Sequence, residues 1–201
     1  MEFESLDVRD GGEGQRRWED AGRPIVPSLM VDGVLTPILH VSQLAAALGL
    51  PVPPAQEAAR VAWETLPLLR SWLDRLRGLD WELLTAPTPA RGRSLRNLTV
   101  NVFHPVELLP AAWRTGSFPW EPERDDEREA ALGTPAAVVG YAESAYAGWS
   151  DFVLANADEL GLRDPVVASP RGELRYSALL ESQLRRVSFH HEQVVDFIRG
   201  Q

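Results

Sequence analysis

Apolar positions recur at intervals of three and four residues through most of residues 55–201, the period of a helix that buries one face. Between Ala55 and Leu79 the stripe runs Val61, Leu66, Leu69, Leu73 and Leu76, with Trp63 and Trp72 beside it. A second helix is predicted from Leu95 to Trp113, because Ser94 can accept a backbone N–H as its N-cap and Gly116 supplies a stop. Thr134-Pro135 opens a third, with proline at the first helical position, and the pattern carries it to about Leu160 before Gly161. The last starts at Glu173 or Tyr176 and runs to Ile198, with Gly200 beyond it. Four long helices joined by polar connections predict a bundle. The connection Phe118 to Gly133 is long and acidic, so it is expected to cross the bundle, with Glu121 to Glu129 as a solvated run of charge.

Upstream the pattern shortens. Pro51, Pro53 and Pro54 hold the backbone extended and forbid a continuous helix, so residues 51–54 read as a linker between a lobe at 1–50 and the bundle at 55–201. Within the lobe, Glu2 to Val8 is a candidate strand, Asp10 to Gly14 a turn and Gln15 to Ala21 a short helix. Pro24 to Asp32 and Val34 to Leu39 read as a hairpin about Asp32-Gly33, whose glycine tolerates positive φ. Ser42 is the expected cap of a helix from Gln43 to Leu48, closed by Gly49. The order is β-α-β-β-α, and the whole chain belongs to the mainly α class.

Composition narrows the chemistry. A 201-residue chain that is 44% hydrophobic and 24% charged is globular in character. It has no cysteine, and all 20 of its basic residues are arginine, a usage that a GC-rich genome also produces. Absent cysteine removes disulfides, thiolate nucleophiles and Cys-ligated zinc; absent lysine removes Schiff bases and Walker-type phosphate loops. A net charge of −9 disfavours nucleic acid and anionic membrane as partners. No apolar run approaches the roughly 18 residues of a membrane span, and the first residues lack a leader pattern, so a cytoplasmic location is expected.

Candidate chemistry lies on two predicted helices. On the last, Gln183, Arg186, His190, Gln193 and Phe197 share one face by their 3, 4, 3, 4 spacing. It adjoins an apolar seam of Leu180, Leu184, Val187, His191, Val194 and Ile198. On the second helix Asn97, Asn101, His104 and Leu108 form a similar stripe. Facing one another, the stripes would make a polar crevice lined by Asn97, Asn101, His104, Gln183, Arg186, His190 and Gln193. An unpaired buried amide or imidazole costs roughly 1–3 kcal/mol, so such a concentration points to a binding site for a small molecule. There Arg186 would grip an anionic group while His104 or His190 acts as general acid or base. Purely structural roles stand beside these: Arg186 neutralising Glu64, Asp74 or Glu107, His191 as a core histidine, His40 bonding at a helix start. The seven tryptophans read mainly as core filling, and Trp120 as an anchor of the crossing loop.

The helix opening at Ser94-Leu95-Arg96-Asn97-Leu98 and the closing His190-His191-Glu192-Gln193 resemble the DinB family of four-helix bundles. That resemblance implies a thiol-dependent transferase or isomerase working with a low-molecular-weight thiol such as mycothiol, and a divalent metal held by three histidines. Carried onto this chain, His190 and Gln193 fit the closing motif. The partner four residues earlier is Arg186 and the position on the second helix is Asn101, with His104 one turn on. A set built on His104, His190 or His191 with a carboxylate such as Glu107 or Glu192 is the alternative metal reading. Val26-Pro27, Asp32-Gly33 and His40 to Gln43 resemble the second half of a glutaredoxin or glutathione-transferase thioredoxin fold. This implies a thiol-lining groove at Val26 and Pro27, although the family's cysteine-bearing first strand and helix would have to precede Met1. Three readings follow: a DinB-like enzyme, a non-catalytic ligand-binding or dimerisation module, and a protein completed by a partner chain. The last predicts an exposed strand edge at Glu2 to Val8 or Pro24 to Asp32 and a dimer or larger assembly.

Overall fold

The computed structural model describes residues 4–8, 11–22, 27–38, 40–51, 57–89, 92–121 and 125–200. The chain divides into two units, Met1–Val52 and Pro53–Gln201.

In the larger unit, four long helices bury the faces that the apolar spacing marks. They are α3 (Ala58–Leu76), α5 (Leu95–Thr115), α7 (Pro135–Ala155) and α9 (Tyr176–Arg199). Both α3 and α5 pack against α7 and α9, so the four close into a ring around one core. Ser94 Oγ accepts the Asn97 N–H and Thr134 Oγ1 accepts that of Ala137, which fixes where α5 and α7 begin. Gly116 ends α5 at φ +69°, a left-handed conformation that suits glycine.

Tryptophans tie the helices together through threonine. Trp72 on α3 donates to Thr99 on α5 at 3.2 Å, and Trp149 on α7 donates to Thr65 on α3 at 2.8 Å. Each indole N–H would otherwise be a buried orphan. Trp113, Phe152 and Tyr176 meet edge to face, and Tyr176 Oη donates to the Leu109 carbonyl at 3.1 Å. Trp63 is exposed instead.

Several short elements depart from the sequence reading. The third helix stops at Ala155, where Asn156 turns the chain into a separate α8 (Ala157–Leu162) that includes Gly161. A short α4 (Trp81–Thr85) follows α3, capped by Asp80, whose Oδ1 accepts the Leu83 N–H. Before α9 lies a hairpin of β3 (Val166–Ser169) and β4 (Gly172–Arg175), with Val167 opposite Leu174 as its buried pair. The chain leaving α5 joins it: Phe118 N–H donates to Ala168 O at 2.7 Å and Ala168 N–H to Gly116 O at 2.8 Å. The crossing connection carries α6 (Asp125–Ala131), where only solvated charge was expected.

In the smaller unit the described residues give α1 (Glu13–Asp20), β1 (Ser28–Val31), β2 (Val34–Pro37) and α2 (Val41–Ala47). Asp32 at φ +49° and Gly33 at φ +79° make the expected tight turn. The first expected strand is corrected where it is described: residues 4–8 pair with no strand among the described residues and Glu4 to Asp7 are exposed, while Glu2 and Phe3 lie outside the described residues. The observed order is therefore α-β-β-α among the described residues. The cap of α2 is also corrected. His40, not Ser42, is the N-cap: its Nδ1 accepts the Ser42 N–H while Gln43 Oε1 accepts the His40 N–H. Val26 and residues 52–56, with most of the expected linker, lie outside the described residues; Pro27 accepts the Ile38 N–H at 2.9 Å. Among the described residues no helix is long and apolar enough to cross a membrane.

Candidate functional site

The polar stripe of α5 faces α6, and the two helices meet with opposed register. Asn97 Nδ2 donates to Glu129 Oε2, and one turn later on α5 Asn101 Nδ2 donates to Asp125 Oδ2 at 3.1 Å. Asp125 and Glu129 are four residues apart and so share one face of α6, matching Asn97 and Asn101 four apart on α5. Glu129 Oε1 also accepts from Ser94 at 3.2 Å and from Arg96 Nε at 2.9 Å. The Arg96 guanidinium in turn lies 5.3 Å over Trp81.

His104 completes the arrangement. Its Nδ1 donates to Asp125 Oδ1 at 2.7 Å, and Asp125 is only 3% exposed. A carboxylate on Nδ1 leaves Nε2 as the basic nitrogen of the neutral ring, and Nε2 has no hydrogen-bond partner among the described residues. Asn101 passes the network to α9, since its Oδ1 accepts from Arg186 Nη1 at 3.3 Å. Arg186, Asn101, Asp125 and His104 thus form one chain across α9, α5 and α6.

Above Arg186 sits the crossing segment: the Trp120 ring lies 4.0 Å from its guanidinium carbon, and Arg171 of the β3–β4 turn lies 5.9 Å from the same ring. Burial first, and then the positive charges of Arg171 and Arg93, push the Arg186 guanidinium down to about 9, with Asp125 opposing them. Beside the network opens a cleft of about 470 Å³ lined by Arg93, Arg96, Asn97, Asn101, Asp125, Asp126 and Glu129, with Thr85, Gly92 and Ser94 at its edge.

No family model matches the chain, and no curated protein or solved structure matches it.

Of the crevice residues expected from the sequence, Asn97 and Asn101 line this cleft, while His104 and Arg186 reach it through Asp125 and Asn101. Gln183 is 1% exposed, and neither the nitrogen nor the oxygen of its amide has a partner among the described residues. His190 and Gln193 bond each other, Nδ1 to Oε1 at 2.8 Å, and do not line the cleft. Arg186 pairs with none of Glu64, Asp74 or Glu107, which are taken by Arg60, by Arg70 and Arg77, and by Arg128. His191 Nε2 bonds Ser71 Oγ at 2.9 Å. Trp120, expected as an anchor of the crossing loop, covers Arg186, and Asp125 and Glu129 are the site residues that the sequence reading leaves in a solvated run of charge. Their signal was the spacing of Asp125 and Glu129, which matches that of Asn97 and Asn101.

The three-histidine metal set fits this chain poorly. Its positions are held by Asn101, Arg186 and His190, and the first two are bonded to each other. A guanidinium has no lone pair to offer and repels a cation. Among the described residues no three His, Asp or Glu side chains gather into a group that could hold a metal.

Proposed function

We propose that the helical unit is a small-molecule enzyme of the DinB-like type, a thiol-dependent transferase or isomerase, with His104 as its proton-transfer group. The observation that carries this reading is the buried His104–Asp125 pair beside a polar cleft. Asp125 fixes the tautomer and orientation of the ring and stabilises the imidazolium formed when Nε2 takes a proton. Asn101 holds the second carboxylate oxygen, so Asp125 cannot turn away from His104. In this reading Nε2 accepts the proton of a bound thiol, whose thiolate attacks the electrophilic carbon of the second substrate. The same nitrogen returns the proton to the leaving group or to the product. The cleft and the arginines beside it orient both molecules.

The test is a conjugation assay of the full chain, with glutathione, mycothiol or bacillithiol as thiol and 1-chloro-2,4-dinitrobenzene as electrophile. His104→Gln is expected to lower kcat by about 10²-fold or more, the usual scale of general acid–base catalysis. Asp125→Asn is expected to lower it less. Turnover that is absent with all three thiols, or unchanged by His104→Gln, overturns the proposal.

A further inference from the structure

Arg186 is a part-buried cation that forms no salt bridge with a described residue. Its Nη1 donates to Asn101, one face is covered by Trp120, and its Nε is shielded from solvent with no partner among the described residues. It forms no ion pair with a described residue, and neither does Arg93 in the adjoining cleft. Scarcity does not explain this, because the chain has 29 acidic residues to 20 basic ones. A charge whose Nε is shielded from water and unpaired is unfavourable, and the proximity of Arg93 and Arg171 makes it more so.

The orphaned groups around Arg186 are mostly donors. Among the described residues Trp120 Nε1 is buried without a partner, and so is the whole amide of Gln183, one turn before Arg186 on the same face of α9. We infer that this cluster recognises the carboxylate of an anionic small molecule, held by Arg186 and Arg93 with Gln183 and Trp120 as neutral partners. With Nη1 committed to Asn101, the guanidinium keeps one edge, Nε with Nη2, whose two parallel N–H groups match the two oxygens of a carboxylate. A tetrahedral phosphate fits less well, since that edge offers two parallel donors to a group with more than two oxygens. Asn101 lines the cleft and accepts from Arg186, so the guanidinium stands directly behind the cleft wall that Arg93 shares.

This inference rests on the small-molecule reading above and names the acid end of the ligand. Binding is measured without turnover, so a failed conjugation assay leaves it standing, and absent binding leaves the role of His104 standing. Isothermal titration of the full chain at fixed ionic strength uses succinate, its neutral diamide and inorganic phosphate as probes. Succinate is expected to bind saturably and the diamide not at all. Arg93→Gln and Arg186→Met are each expected to weaken succinate by about tenfold or more, while Arg60→Gln, on the exposed face of α3, leaves it unchanged. If Arg186→Met does not fold, Arg93→Gln at the cleft decides. No saturable succinate binding, tighter binding of phosphate, or succinate affinity undiminished in the variants overturns the inference.

Discussion

His104 and Asp125 stand 21 positions apart and meet at 2.7 Å, with the carboxylate accepting from Nδ1 of the ring. The pairing selects one tautomer. Nitrogen-15 NMR of the histidine side chains is expected to show neutral His104 with its proton on Nδ1 and a bare Nε2. In Asp125→Asn the amide offers both a donor and an acceptor to the ring, so the preference should weaken. A neutral His104 protonated on Nε2 in the wild type contradicts the geometry.

The same carboxylate is a structural keystone for α6, and stability measures this apart from any chemistry. Asp125→Ala leaves His104 Nδ1 and Asn101 Nδ2 without their acceptor, at an expected cost of about 2–4 kcal/mol. Its neighbour Asp126 is exposed, and Asp126→Ala should change stability by less than about 0.5 kcal/mol. Urea denaturation of the two variants makes the comparison. Equal effects would mean that Asp125 is solvated after all.

The long helices were legible because burial on one face leaves a period in the sequence, and because Ser94, Thr134-Pro135 and Gly116 mark their ends. The charge run was not legible in the same way. A buried carboxylate and a solvated one are the same letter, and only the partners Asn97, Asn101 and His104 make Asp125 and Glu129 inward-facing. The β3–β4 hairpin was missed because four-residue strands carry too little alternation, although Val167 and Leu174 point inward together. On α9 the stripe from Gln183 to Gln193 was read as one surface. The structure divides it, since Arg186 turns to α5 while His190 and Gln193 satisfy each other.

The threonine–tryptophan links predict a cost out of proportion to the atoms removed. Thr65→Val keeps the shape but leaves the buried Trp149 N–H without its 2.8 Å acceptor, an expected loss of about 1–3 kcal/mol. Trp149→Phe together with Thr65→Val removes both members, so the coupling should appear as a double variant less destabilised than the sum of the singles. Additive losses in denaturant unfolding would show that the bond contributes nothing specific.

Two glycines should respond to alanine with opposite signs. Gly116 lies at φ +69°, and a Cβ there would also press to 3.4 Å from the Val166 carbonyl, so Gly116→Ala is expected to cost about 1 kcal/mol or more. Gly140 lies inside α7 with nothing near its would-be Cβ. Gly140→Ala should therefore stabilise by about 0.5–1 kcal/mol, through helix propensity and a less flexible unfolded chain. Thermal unfolding read by circular dichroism resolves both shifts, and a stabilising Gly116→Ala would contradict the left-handed end of α5.

His191 gives stability a pH dependence whose sign follows from its surroundings. Partial burial first, and then the charge of Arg75, hold its imidazole below the ordinary histidine value of 6.5, with Glu192 opposing. The neutral ring, bonded to Ser71, is thus the form that the fold favours. Folded and unfolded chains are both neutral at this residue above 6.5, so its contribution is complete there. As the pH falls through 6.5 towards the lower folded value, the unfolded chain takes up a proton first and stability is lost. His191→Gln keeps a partner for Ser71 without the titration. Urea midpoints from about pH 8 to about pH 5 should therefore show the wild type losing ground to His191→Gln on the acid side. A wild type that gains on the variant as the pH drops would require a raised imidazole and would reverse the assignment.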